Sequence, residues 1–404
     1  MMRRFWQEFL RFLVYGGLAL GLVALVAHGL DRRVAFPWVG GHETEPVGVL
    51  YFGPKGEEKP LPPRADGTSG PRNLILLIAD GLGFAQVQAA RSELVGVNGR
   101  LAFERMPVTG WLTTHSATSL YTDSAASATS LATGFKTRSG RLGVDTEGQP
   151  LRTLLEAAHE RGLVSGLVTD SYLWDATIAA FLVHVESRRD HPSVLSQMAS
   201  SGASLLLGGV PTGLGFEDPL MVQAFESFSA AGFEVDLGWD EIEAGMAKEG
   251  RWVGLLRQRR ISLPEEAPSL RRLAEIALGR LQNHENGFIL VIETEETDTA
   301  SHQHDYQRLV TGIDSFSQVV ETVLDFAQQD GETLVVMTSD HETGGLLLHG
   351  GGANGTLRNA WGSTGHTAVP VPLYAEGPGS EWLGGVRDNT EVAPVLARLL
   401  GLEL

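Results

Sequence analysis

Along most of the chain, short apolar runs alternate with stretches whose apolar residues recur at helical spacing. The clearest apolar runs are 73–79, 163–169, 288–292, 333–339 and 371–374, and amphipathic stretches such as 151–160 and 316–328 lie between them. Strands interleaved with helices predict an α/β domain around a mainly parallel sheet. No internal repeat is visible. Residues 201–268 lose the rhythm and read as an excursion beside the sheet.

The beginning of the chain has a different pattern. Arg3, Arg4 and Arg11 precede an uncharged run over 12–30 with no polar face. A buried core helix would keep such a face, so the run reads as an export signal or membrane anchor. Its length approaches the ~20 residues that span a bilayer, and the small residues Ala24 and Ala27 form no clean cleavage site, which favours a retained anchor. Arg32 and Arg33 leave the topology open. Residues 34–71 are rich in Pro and Gly and read as a tether. The expected organisation is therefore a signal or anchor over 1–33, a tether over 34–71 and a catalytic domain over 72–404. The product would be periplasmic or extracellular, with possible membrane attachment through 12–30.

Composition narrows the chemistry. The 404 residues carry a formal charge of −18. The first 33 contribute five Arg against Glu8 and Asp31, a net +3, which leaves −21 for the rest. Such a surface argues against nucleic-acid binding. It also suits a phosphate ester poorly unless bound cations concentrate positive charge locally. With no cysteine, disulfides, thiolate catalysis and Cys-based metal sites are excluded. A zinc site would have to use His, Asp and Glu.

Those residue types gather where an open α/β sheet places its chemistry, beyond the carboxyl ends of strands. Asp80 follows the first run, Glu293 follows 288–292, and Asp340-His341 follows 333–339. Singly, each acid is more often a helix cap or turn former; three strands ending alike suggest a shared site. Asp298 and His302 are spaced i, i+4 and can face the same cation, or form a surface charge pair. His366, before the last apolar run, is a loop histidine or a further ligand. Imidazole argues for zinc and surplus carboxylates for magnesium. Ser124 opens a segment of small helix-favouring residues, where backbone N–H groups attract a phosphoryl group, although Asp123 or Ser124 could simply cap the helix.

Together these segments resemble the alkaline phosphatase family over 73–402. The resemblance rests on Asp80-Gly81, Asp123-Ser124-Ala125, Asp175-Ala176-Thr177 followed by His184 to Arg188, then Glu293, Asp298 and His302, Asp340-His341-Glu342-Thr343-Gly344-Gly345, and His366 before Val369-Pro370-Val371. It implies a three-layer α/β/α sandwich and hydrolysis of small phosphomonoesters through a phosphoserine on Ser124. It implies one Zn²⁺ on Asp298, His302 and His366, and a second on Asp80, Asp340 and His341. A Mg²⁺ would be shared by Asp80 with Asp175, Thr177 and Glu293, and Arg188 would grip phosphate. Co²⁺ is an alternative to zinc, and a homodimer is the implied assembly. Thr299 departs from relatives with a basic or imidazole side chain there, and the stretch between Arg188 and Glu293 is short. Rival readings are a phosphodiesterase, a sulfate-ester hydrolase, or a non-catalytic phosphate or metal binder.

Overall fold

The computed structural model describes residues 61–62, 70–211, 213–245, 249–256, 269–350 and 355–404. The expected segment 1–33 lies wholly, and the tether almost wholly, outside the described residues. Among the described residues no helix is long and apolar enough to cross a membrane.

Strands β1 (Asn73–Ala79), β2 (Val108–Thr113), β3 (Val164–Tyr172), β4 (Leu205–Gly209), β5 (Phe233–Leu237), β6 (Arg251–Leu256), β7 (Phe288–Thr294) and β8 (Thr333–Thr338) belong to one large sheet. Four short strands follow: β9 (Glu342–Thr343), β10 (Leu346–Gly350), β11 (Leu357–Trp361) and β12 (His366–Thr367). The chain then returns to the large sheet with β13 (Val371–Glu376) and β14 (Gly385–Asp388). The ten-stranded order is β14-β2-β13-β8-β1-β7-β3-β4-β6-β5. All neighbours pair in parallel except β13, which runs antiparallel to both β8 and β2.

β1 is central, and all seven of its residues are buried. Side-chain alternation along a strand sends Leu74, Leu76 and Ile78 into one core and Ile75, Leu77 and Ala79 into the other. Each such Leu or Ile stabilises the fold by ~1.5–3 kcal/mol relative to exposure. The first core is closed by helices including Ser124–Thr133, Leu154–Glu160, His191–Ser200 and Val392–Leu399. The second is closed by Phe84–Leu94, Leu270–Leu281 and Tyr306–Asp330. Two helical layers enclosing one sheet are the expected α/β/α sandwich.

The expectation for 201–268 is corrected: this region supplies β4, β5 and β6, which complete one end of the sheet. Its strands lack a long apolar run for physical reasons. β4 ends in two glycines, and the edge strand β5 buries only Phe233 and Asp236 of its five residues.

Two features of the topology position the site. The carboxyl ends of β8, β1, β7 and β3 lie side by side, bringing together the segments around Asp340, Asp80, Glu293 and Thr169. Because β13 is reversed, its entry lies at the same rim, and His366 precedes that entry.

Candidate functional site

Most candidate ligands are fixed by the backbone at or just beyond the end of a strand. After β1 the chain turns through Gly81 at φ +75°, and a Cβ there would lie 2.8 Å from the Asp298 Cα. Only glycine combines that conformation with so close an approach. After β8, Asp340 accepts from the His341 and Gly81 amides at 2.9 and 3.3 Å, which ties two strand ends together. After β7, helix Glu296–His302 places Asp298 and His302 on one face, with Oδ2 and Nε2 3.2 Å apart.

Helix Ser124–Thr133 resolves the capping question. Asp123 is the N-cap, accepting from the Ala126 amide at 3.1 Å, and Ser124 is the first helical residue. Its Oγ is free to face His341 Nε2 at 3.3 Å. That nitrogen also lies 3.2 Å from Asp340 Oδ2 and 3.4 Å from Asp80 Oδ1.

Two candidate ligand sets therefore form, Asp80–Asp340–His341 and Asp298–His302–His366, each with the atoms it could offer a cation within 4.8 Å of one another. The stacked His341 and His366 rings join them, with centroids 3.6 Å apart. Thr343 also bridges them, donating to Asp298 Oδ1 and lying 3.2 Å from His341 Nδ1.

The donor set fits cations. Asp80 Oδ1, Asp340 Oδ2 and Glu293 Oε1 are buried without a hydrogen-bond partner, an unfavourable state for carboxylate oxygens. In the other set, His302 Nδ1 faces the Thr364 carbonyl at 2.6 Å and His366 Nδ1 faces the Thr122 carbonyl at 2.8 Å. Those carbonyls hold a proton on each Nδ1, leaving the two Nε2 atoms facing each other at 3.2 Å. Two lone pairs so placed need a proton or a cation between them.

The charges respond to this crowding. Burial pushes the Asp340 carboxyl up to about 7, with Asp298 adding to the effect. Burial, then Asp340 and Asp298, raises Asp80, and burial, then Asp175, raises Glu293. Burial also drives the His341 imidazole well down. In the other set the shifts reverse. Burial favours a neutral Asp298, but its bond with His302 and the nearby imidazoles outweigh that and hold the carboxyl at about 2. The same bond lifts His302 to about 9.

Of the remaining predicted residues only Thr177 bonds to Asp80; Asp80, Asp175 and Glu293 do not close into a third compact group among the described residues. Thr177 donates to Asp80 Oδ2 at 3.2 Å, and Glu293 accepts from Thr169 at 2.6 Å. Asp175 is already engaged, accepting from Ser171 at 2.6 Å, the Ala176 amide at 2.7 Å and Arg188 at 2.8 Å. Arg188 also lies 3.7 Å from Asp123, so the two carboxylates hold its guanidinium. Thr299 donates to Glu295. Sequence reasoning missed the supporting roles of Glu342, Thr343 and Thr169, and Asp123's contact with Arg188. The only signal for Glu342, Thr343 and Asp123 was adjacency to stronger candidates, and for Thr169 its place at the end of an apolar run.

Comparison with known proteins identifies the family. A family model described as alkaline phosphatase matches residues 71–204 and 253–360. Streptomycin-6-phosphate phosphatase from Streptomyces griseus is 30% identical, covering 85% of this chain and 94% of that protein. Alkaline phosphatase 4 of Bacillus subtilis (strain 168) is 27% identical, covering 81% and 88%. Among solved structures, the cold-active alkaline phosphatase of a psychrophilic Shewanella superposes with a TM-score of 0.73 at 26% identity, covering 81% of this chain and 99% of that one. The Thermus thermophilus enzyme gives 0.73 at 24% identity, covering 85% and 93%.

Proposed function

Since the chain belongs to the alkaline phosphatase family and is a phosphatase, we propose that it hydrolyses phosphate monoesters through a phosphoserine on Ser124, with divalent cations held by the two ligand sets. The observation that carries this reading is the position of Ser124 Oγ, 3.3 Å from an imidazole nitrogen that also faces two buried, unpaired carboxylate oxygens.

Asp298, His302 and His366 would hold one cation, and Asp80, Asp340 and His341 the other. The mixture of imidazole and carboxylate suits zinc, with cobalt an alternative. Asp80, Asp175, Thr177 and Glu293 offer an all-oxygen set suited to magnesium. Bound cations would supply positive charge that lowers the pKa of a hydroxyl and stabilises a leaving oxygen.

The chain's own groups do the rest. Ser124 Oγ attacks phosphorus in line and displaces the alcohol, which leaves with a proton. The helix N-terminus beneath Ser124 offers amides to the phosphoryl oxygens. Arg188, held by Asp175 and Asp123, presents its fork of donors to the same oxygens. Water then displaces Ser124, releasing inorganic phosphate and returning a proton to the serine. Export through 12–30 and homodimer assembly belong to the same proposal.

Replacing Ser124 with Ala tests it. Turnover of an aryl phosphate should collapse to a small residue in buffer containing zinc and magnesium. Near-normal turnover would remove the serine from the mechanism. Rates on a diester and a sulfate ester, measured alongside, should fall far below the monoester rate.

A further inference from the structure

A buried carboxylate between the two ligand sets belongs to neither. Glu342 is 2% exposed and lies between His341 of one set and Thr343, which donates to Asp298 of the other. Its Oε1 accepts from Gln86 Nε2 at 2.6 Å and the Leu346 amide at 3.4 Å. Its Oε2 accepts from the Thr367 hydroxyl and from the Gly345 amide at 3.3 Å. All four donors are neutral, and they come from three separate segments.

Those segments carry the ligands. Gln86 stands on the helix that follows the Asp80 turn, where a Cβ on Gly83 would lie 2.3 Å from the Glu342 Cγ. The glutamate stem is thus laid directly on that backbone. Gly345 lies in the turn after β9, and Leu346 opens β10. Thr367 follows His366 on β12. The β9–β12 ladder has only two pairs, Thr343 with His366 and Glu342 with Thr367.

A ladder of two pairs specifies its register weakly, and a slip by one residue would turn His366 to the opposite face. The stack of His366 on His341 depends on that register. A cross-strand side-chain bond is the device that fixes it, and the Glu342–Thr367 bond spans this ladder. We propose that Glu342 is a positioning residue that locks the β9–β12 register, and with it the spacing of the two ligand sets. This inference rests on the reading of those sets as cation sites.

The carboxylate form is required. An amide at this position would aim its own hydrogens at two of the four donors. E342Q therefore removes the function with little change of volume. T367V is the milder variant, losing only the hydroxyl at the end of the bond.

The test titrates the metal-stripped full-length protein with zinc in competition with a chromogenic chelator. Zinc affinity should weaken by roughly 10–100-fold in E342Q, the range found when groups that orient ligands are lost. T367V should weaken it about fivefold, as for one net hydrogen bond. Activity lost at equimolar zinc should return in excess zinc with KM unchanged, and the metal-free T367V protein should melt with the wild type. Wild-type zinc affinity in both variants would overturn the proposal. So would E342Q activity that stays low in excess zinc with affinity intact. A wild-type protein that takes up no divalent cation would overturn the metal reading itself, and this inference with it.

Discussion

The two ligand sets differ in how they stand without a cation. In the Asp80–Asp340–His341 set the Asp340 and His341 side chains are 0% exposed, whereas the His302 side chain of the other set is 36% exposed. The inner set leaves carboxylate oxygens unpaired, raises its carboxyls and keeps its imidazole neutral. The outer set pairs Asp298 with a protonated His302. A buried site with orphaned oxygens depends on its cation for stability. A site that forms its own ion pair instead makes the cation compete with a proton. The inner set should thus act as part of the fold, and the outer as the exchangeable position.

The largest expected effect is on the ligands themselves. His341→Ala should lower kcat/KM of monoester hydrolysis by at least ~10³-fold, equivalent to about 4 kcal/mol, with no recovery in excess zinc. His302→Ala should cost nearer ~100-fold, about 2.7 kcal/mol, and recover partly in excess zinc. Equal losses with equal recovery would erase the distinction.

Removing cations tests the stability side. A cation present at a thousand times its Kd contributes about 4 kcal/mol, so chelation should lower Tm clearly. The stripped protein should then respond to pH in a defined direction. Asp340, at about 7 in the folded state, and His302, at about 9, both lie above their ordinary values of ~3.9 and ~6.5. The folded state therefore holds extra protons, and stability falls as pH rises through each folded value. Tm should fall from pH 6.5 to 9.5. Below ~6.5 the depressed His341 acts oppositely, since acid favours the unfolded state that can protonate it. His302→Ala should flatten the fall between pH ~6.5 and 9 and leave only the part that Asp340 contributes below ~7. A Tm independent of pH across that window would contradict the charge assignment.

Much of the inner set was legible in the sequence because Asp80 and Asp340-His341 stand at the ends of uninterrupted apolar strands, where topology leaves little freedom. Asp298 and His302 were legible from their helical spacing. His366 was harder, since its place depends on the reversed direction of β13, which no local pattern encodes. Asp175, Thr177 and Arg188 came only through family resemblance. Strands β4 to β6 went unread because glycines and edge exposure erase the apolar run. Glu342 and Thr343 entered only as part of a motif, without a role, because their meaning lies in hydrogen bonds to segments far away in sequence.

Two smaller effects sharpen the contrast. At pH 8 cation binding to the outer set should release about one proton, because His302 titrates near 9. Calorimetric titration in buffers of different ionisation enthalpy would measure this, and the release should vanish above pH ~10. Thr343→Val cuts the hydroxyl that links the sets and should lower kcat/KM by roughly tenfold, about one hydrogen bond to a charged group. Thr343→Ser should restore most of that loss.

Anomalous diffraction at the zinc edge, from crystals grown with zinc and magnesium, tests the central claim most directly. Two strong peaks are expected, one bonded to Asp80, Asp340 and His341 beside Ser124, the other to Asp298, His302 and His366. Zinc bound only elsewhere on the surface, with both sets empty in active protein, would contradict it.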